Sequence, residues 1–405
     1  MTTLAGFMFG SLLCGAFADM FGRKKVVVWF NFLHTIVGFF ILLTNSFPLL
    51  ILIRFLGTSL SIALCYSSYT WSVENVGRHR RALAGLTTSL GWVLGMLVLS
   101  LLAYFLRDWR LLTIAISVLA VPLLSLPWII HESPRWLLYK GRTDEAIEVL
   151  NKIAKVNNNA SSLSEETINS SIKALKAERH DSFRKQLSIL LKSKTLVIRT
   201  VILVVNWMVL SCMYYGFSLN IGSIIEGDLY LNFFIMNILE LLMIVTCIFV
   251  LSKIGRKRWY CTCMFISALA CLSTIIPIFL ETDEKWIHSA LSNIGKFTIA
   301  GAFGTIAVFT GELYPTSIRN SGVGFCSFMA RVGSIFSPVI GNLNVLVGGR
   351  LGNALPMVIF GSLTFIAALL ALYLPETRGK HLTDRLRQDH EEVDDASNLH
   401  VIKPL

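Results

Sequence analysis

Charge is scarce in this chain. Asp, Glu, Lys and Arg make up 15% of its 405 residues, where soluble domains carry about 25%. So little charge cannot clothe two or three water-facing domains, and water is not the main solvent of this protein. Three further absences narrow the class. No nucleophile–base motif and no phosphate-binding loop is visible, so nothing points to a covalent enzyme or a cofactor. The apolar stretches do not alternate in polarity over segments of about 10 residues, which excludes a membrane β-barrel. No basic segment precedes the apolar residues 2–18 while three bases follow them, so these residues read as a retained span and not as a signal peptide.

What is abundant is apolar length. Hydrophobic residues reach 54% and mean hydropathy is +0.64. Apolar runs cover 2–18, 26–44, 48–73, 83–105, 111–130, 196–218, 229–251, 259–280, 287–311, 321–347 and 354–374. Each approaches the roughly 20 residues that cross a bilayer as a helix, and helix is the form that satisfies backbone groups in lipid. The fold class is therefore all-α and polytopic, with about eleven transmembrane helices. All eight cysteines fall within these runs, so a disulfide framework is not expected. Cys261 and Cys263 lack partner ligands at metal-site spacing and read as packed or lipid-facing thiols.

The net charge of +11 is a matter of topology. With the Arg23–Lys25 loop placed inside, alternate connections and the tail hold 28 of the 36 Lys and Arg residues. The opposite side holds four: Arg107, Arg110, Lys285 and Arg350. This asymmetry is the positive-inside pattern, and it leaves no role for nucleic acid. It also places the 132–195 segment and the C-terminus in the cytoplasm, with the plasma membrane as the expected location. Asn159 and Asn169 head glycosylation-type triplets, but they fall on the inner side.

Charge also divides the chain. Residues 1–131 form one apolar block, 132–195 a polar segment, 196–375 a second block, and 376–405 a polar tail. Within 132–195 a helix is expected to start at Thr143–Glu145, with Ile147, Leu150 and Ile153 on its apolar face. The two blocks repeat one another. "FADMFGRKK" (Phe17–Lys25) has a counterpart in "LSKIGRKR" (Leu251–Arg258). Glu74 and Arg81 lie seven apart, as do Glu312 and Arg319. "ESPR" (132–135) closes one block and "PETR" (375–378) the other. The offsets of 233, 238 and 244 residues keep the order of all three motifs. Two helix bundles related by a repeat are the pattern of many secondary transporters.

These motifs resemble the major facilitator superfamily. "GAFADMFGRKK" (15–25) is similar to its loop between the second and third helices, and "ESPRWL" with "PETRG" narrows the resemblance to sugar porters and organic-ion carriers. "YFLRDWR" (104–110), "YYGFSLN" (214–220) and "GELYPTSIRNSGVG" (311–324) resemble the organic cation/anion/zwitterion transporters, solute carrier family 22, nearest the cation/carnitine branch. The resemblance spans roughly residues 5–380. By it, the chain begins at the second family helix, without the first helix and the large outer loop. The second Gly-Arg-Lys copy also has Ser252 where the first has Asp19.

The resemblance implies a gating latch of Gly15, Asp19, Gly22, Arg23, Glu74, Arg81, Glu132 and Arg135, with Gly255, Arg256, Glu312, Arg319 and Glu376 in the second half. Gly15 would permit close helix approach. Asp19 would meet the positive end of the helix beginning near Asn320, and the bases would pair with the nearby acids to hold the bundles together. For the substrate site, ionisable residues inside spans are the candidates. Glu240 is implied as a cation-site acid. Trp207 and Tyr214, seven apart, share one helical face, and with Tyr215 suit an ammonium cage. Arg331, ten residues into its span, suits a carboxylate through its fork, with Lys296 as a second base. Arg54 fits helix packing or ion coupling. The expected function is alternating-access transport of a small organic cation or carnitine-like zwitterion, with a bilayer around it and an unspecified coupling ion. An organic-anion carrier and a transport-inactive ligand binder are the alternatives.

Overall fold

A computed structural model describes residues 2–76, 81–157, 193–219, 228–276, 285–314 and 319–377. The first group of helices is α1 (Thr2–Phe21), α2 (Arg23–Phe39), α3 (Phe47–Glu74), α4 (Arg81–Phe105) and α5 (Trp109–Ala120). Three short helices follow: α6 (Leu126–Ile129), α7 (Pro134–Tyr139) and α8 (Thr143–Val156). The second group is α9 (Lys194–Leu219), α10 (Leu229–Ile254), α11 (Arg256–Ser273), α12 (Lys285–Leu313), α13 (Arg319–Gly341), α14 (Leu343–Val347) and α15 (Gly349–Ala371).

Each of the eleven expected spans is mainly helical over its described residues. Nine described stretches are long and apolar enough to cross a membrane: Arg23–Leu43, Phe47–Glu74, Thr87–Phe105, Trp109–Ile129, Lys194–Leu219, Leu229–Leu251, Ser289–Leu313, Gly322–Gly341 and Ala354–Ala371. The other two expected spans are α1 and α11. α11 opens on Arg256, Lys257 and Arg258, which dilute the apolar character of an 18-residue helix. The chain is an all-α, multi-pass membrane protein.

Local chemistry sets several helix starts. The Asp108 carboxylate accepts from the backbone N–H of Arg110 and Leu111 at the head of α5. The Asp228 carboxylate accepts from Leu231 at the head of α10. Ser133 caps α7 through the Trp136 N–H, with Pro134 in the first turn, where its missing N–H costs nothing. α2 and α11 start differently. Each follows a glycine in left-handed backbone, Gly22 at φ 106° and Gly255 at φ 103°, a conformation that side chains with a Cβ resist.

α1 packs along α3, and α2 lies against α3 and α5. In the second group α9 packs on α13 and α15, α11 on α12 and α15, and α10 on α12. The groups meet along two seams, α1 with α13 and α4 with α10. The principal core belongs to the second group, around Phe217, Tyr260, Phe309 and Phe360, and takes in Leu4 from the first. α8 starts at Thr143 as expected, but its buried face is one step round from the expected one. Ala146 and Val149 pack on Trp136 and Leu137 of α7, with Ile153 partly covered. The small Ala146 lets α8 lie close to α7, which turns Ile147 and Leu150 toward the flank.

Candidate functional site

Arg331 stands on α13 where that helix crosses the seam between the two groups. A Cβ on Gly333 would run into the backbone of Met208, so the glycine lets α13 press against α9 and brings Arg331 to Tyr215. Nη1 of Arg331 donates to the Tyr215 hydroxyl at 2.7 Å, and Nη2 to the Tyr66 hydroxyl on α3 at 2.5 Å. The guanidinium also lies 5.7 Å from the Phe7 ring centroid on α1. Tyr66 is in reach of Ser327 at 3.5 Å. Arg331 is 7% exposed, yet its Nε has no acceptor. Among the described residues no carboxylate pairs with it.

A second polar centre lies one residue along α9. Lys296 on α12 donates from Nζ to Ser218 at 2.8 Å. The same Nζ is 3.4 Å from Glu240 Oε2 on α10 and 3.4 Å from the centroid of the Tyr214 ring. Tyr214 in turn donates its hydroxyl to Glu240 Oε1 at 2.7 Å. Both carboxylate oxygens of Glu240 are therefore engaged, and the ammonium has a hydroxyl, a carboxylate and an aromatic face around it. The side chains of Lys296 and Glu240 are 3% and 7% exposed. Tyr214 and Tyr215 join the two centres, their rings at 5.3 Å and 83°, an edge-to-face geometry that aromatic quadrupoles favour.

The structure thus gathers five of the six proposed substrate residues into two neighbouring clusters. Trp207, the sixth, faces Phe303 with the two rings 6.4 Å apart, and its indole N–H donates to Thr310 at 2.9 Å. Phe303 also packs on Tyr214 at 5.0 Å, which ties Trp207 to the same wall. Sequence reasoning missed Tyr66, Phe7, Ser218 and Phe303. Tyr66 stood in the polar run "CYSSYTW" inside an apolar helix, a signal that could have found it. Arg54 sits on the exposed face of α3, apart from both clusters.

The motif residues build a second kind of site, at one end of each group. Arg23 forks onto Glu74, with Nε and Nη2 at 3.1 and 3.2 Å from its two oxygens. It also pairs with Asp19 at 2.8 Å. Glu132 accepts from the Lys24 and Ser133 backbone N–H groups at 3.0 Å each. The second group repeats this arrangement. Arg256 pairs with Glu312 at 3.2 Å, and Glu376 accepts from the backbone N–H of Arg256 at 3.0 Å and of Lys257 and Arg258 at 3.3 Å. Thr377 donates to Glu312 at 2.6 Å. A carboxylate over free N–H groups at a helix start is a favourable anion position.

The described pairs run within each group and do not join the two. Asp19 turns to Arg23, four residues on across the Gly22 break, and its side chain is 67% exposed. The expected partner of Asp19, the helix start near Asn320, has side chains that fall outside the described residues. Arg135 is half-buried at the head of α7. Gly15, Arg81 and Arg319 lie on described helices, but their side-chain surroundings fall outside the described residues.

Known proteins carry the same organisation. The family described as "Sugar (and other) transporter" matches residues 2–385. Solute carrier family 22 member 13 of Homo sapiens is 34% identical over 95% of this chain and 67% of its own length. The chain belongs to the sugar (and other) transporter family, on the solute carrier family 22 branch. Within that branch it is also 31% identical to the organic cation transporter protein of Drosophila melanogaster, over 98% of this chain and 70% of that one. Organic cation/carnitine transporter 2 of Homo sapiens is 31% identical over 95% of this chain and 67% of its own length. Among solved structures, the inward-open xylose transporter XylE from E. coli overlays with a TM-score of 0.73 at 20% identity, covering 94% of this chain and 86% of that one. That likeness shows the major facilitator fold. The relatives of this family member are named as transporters and not as enzymes.

Proposed function

We propose that this chain is a secondary transporter that moves small carboxylate-bearing organic ions by alternating access. The observation that carries this reading is the state of Arg331: buried, its guanidinium hydrogen-bonded among the described residues only to two tyrosine hydroxyls, and with Nε open. Of the three buried ionisable groups in the clusters, Glu240 and Lys296 neutralise each other. Arg331 leaves one positive charge over. An uncompensated buried charge is costly, and a ligand carboxylate relieves that cost through a bidentate, charge-assisted contact. Tyr66 and Tyr215 accept from the guanidinium, which leaves the Tyr215 O–H to donate to the same ligand, while the Tyr66 O–H can serve either that ligand or Ser327 at 3.5 Å.

The position supports a gating role as well. Arg331 and Tyr215 belong to the second group of helices, Tyr66 and Phe7 to the first. A ligand on the guanidinium therefore touches both, and residues 1–131 and 196–375 are read as the two bundles that rock around it. The Gly22 and Gly255 corners keep each bundle's ends together during that motion. The concentration of Lys and Arg on alternate connections supports a cytoplasmic 132–195 segment and tail, in the plasma membrane. A carnitine-like zwitterion is the second reading. The named carnitine relative and Glu240 favour it, and the Lys296–Glu240 pair weighs against it.

Uptake of labelled monocarboxylates, carnitine and tetraethylammonium into cells, with surface levels matched, tests this. Arg331→Ala is expected to weaken carboxylate ligands by about ten- to a hundredfold, as befits a hydrogen bond to a charged group worth about 1.5–3 kcal/mol. Carboxylate uptake unchanged by Arg331→Ala overturns the assignment. Binding without uptake moves the chain to the ligand-binder alternative.

A further inference from the structure

Lys296 holds a position that a substrate ammonium would be expected to fill. Its Nζ lies 3.4 Å from the Tyr214 ring centroid, well inside the roughly 6 Å range of cation–π attraction. A carboxylate oxygen of Glu240 lies beside it at 3.4 Å, and the Ser218 oxygen at 2.8 Å. An acid, an aromatic face and a hydroxyl make a complete ammonium cage. The lysine enters it from α12, while the walls come from α9 and α10. The cage is closed from solvent, with Lys296 and Tyr214 at 2% and 5% exposure.

We propose that Lys296 is a tethered cation that occupies an ammonium site formed by Glu240, Tyr214 and Ser218, so that the site excludes free ammonium ligands and admits them once the lysine side chain is removed. This rests on the reading of Arg331 only in that the caged lysine biases the neighbouring site toward carboxylates. The chemistry of the cage itself is independent of transport. A relative with the same acid and ring but no lysine would present an open cation site, and that single difference would separate cation from anion selectivity within one architecture.

Truncation of lysine to alanine removes three methylenes and the ammonium, so n-propylammonium reproduces the deleted atoms. The experiment is thermal unfolding of the 405-residue chain, purified in detergent, with and without propylammonium chloride against matched sodium chloride. Lys296→Ala is expected to unfold about 1–3 °C higher in saturating propylammonium, as a ligand that binds the folded state raises its stability. The parent should not respond, because its cage is full. Tetraethylammonium, too bulky for the vacated space, should leave Lys296→Ala unmoved. The double variant Lys296→Ala/Glu240→Gln should lose the response with its acid.

Recovery of folded Lys296→Ala only when amine is present during solubilisation supports the same conclusion. A second variant, Lys296→Ser, gives a wider pocket in which the response should recur. The proposal is overturned if parent and Lys296→Ala respond alike, if the double variant responds as Lys296→Ala does, or if amine fails to restore or stabilise either single variant. Failure of carboxylate uptake in the parent would remove the transport reading and leave this unfolding result intact.

Discussion

The two groups of helices are alike at their ends and unlike inside. At the ends, a left-handed glycine, a basic helix start and a capping glutamate recur as Gly22, Arg23 and Glu132 and as Gly255, Arg256 and Glu376. Inside, the groups diverge. Half or more of the apolar stretch is buried in α9, α12 and α15, at 56%, 61% and 50%, against 17%, 11% and 6% in α3, α4 and the Trp109–Ile129 stretch. The three buried charges of the clusters, Glu240, Lys296 and Arg331, all stand in the second group. The first group offers that site aromatic and hydroxyl surface through Phe7 and Tyr66. The repeat therefore preserves the capped glycine corners at the ends, and places the costly charges on the side with protein packed around them.

The sharpest way to break this comparison is to unbalance the buried pair. Glu240→Gln strands Lys296 without a counter-ion, and breaking a buried pair in this way costs about 3–5 kcal/mol. The expected outcome is a large drop in unfolding temperature. Lys296→Met in the same chain should recover most of it, since the double variant buries no charge. Substitutions in the first group at Gly22, Tyr66 or Glu74 should not match that loss. Additive losses in the double variant would mean that the two side chains act separately.

Arg331 gives a second test, because its acceptors come from both groups. Tyr66→Phe and Tyr215→Phe each remove one hydroxyl from the guanidinium, at about 1.5–3 kcal/mol for a bond to a charged group. Both are expected to weaken carboxylate affinity by about tenfold or more. Tyr66→Phe should also change turnover, because among the described residues Tyr66 is the hydrogen-bond partner that Arg331 has in the first group. Equal effects on affinity and turnover in the two variants would reduce Tyr66 to a second-best Tyr215.

The fold was legible because lipid imposes a simple rule. Helix length and positive charge on alternate connections are written along the chain, and all eleven expected spans are mainly helical over their described residues. The repeat was legible from three ordered motifs. The clusters were readable only in part. Glu240, Lys296 and Arg331 announce themselves as ions in oil, yet nothing in their order says which pairs with which. Lys296 and Glu240 are 56 residues apart and meet because α10 and α12 pack together. That pairing decides whether Glu240 is open to a ligand, and sequence spacing does not contain it. Tyr66 was missed for a related reason: a tyrosine in an apolar helix is ordinarily packing, and its role comes from the seam it faces.

The end motifs predict symmetry of a smaller size. Gly22→Ala forces a Cβ toward the Glu132 carboxylate at a left-handed position, and Gly255→Ala does the same toward Glu376. Each is expected to cost about 1–3 kcal/mol, as strained backbone does. The two losses should be similar in unfolding temperature and both should slow transport. A large loss from one and none from the other would show that the repeat is one of sequence and not of mechanical role.

Asp19→Asn should have the smallest effect. Asp19 has no acidic counterpart in the second group, where Ser252 stands at the matching position. Its carboxylate pairs with Arg23 at 2.8 Å across an i, i+4 step. Arg23, however, already holds Glu74 through two bonds and the Ala18 carbonyl at 2.8 Å. The Asp19 side chain is 67% exposed, so water screens the pair and competes for both partners. Exposed pairs of this kind contribute about 0.2–1 kcal/mol, and a partner that is already anchored leaves this one at the lower end. Asp19→Asn is therefore expected to leave the unfolding temperature nearly unchanged, whereas Glu74→Gln, which removes the anchoring acid, should lower it measurably. Uptake by Asp19→Asn measured at two salt concentrations completes the test. Turnover close to the parent at both would confine the end machinery to the residues the two groups share. A steep loss at low salt alone would show that Asp19 acts in a state of the transport cycle where it meets a partner across the seam.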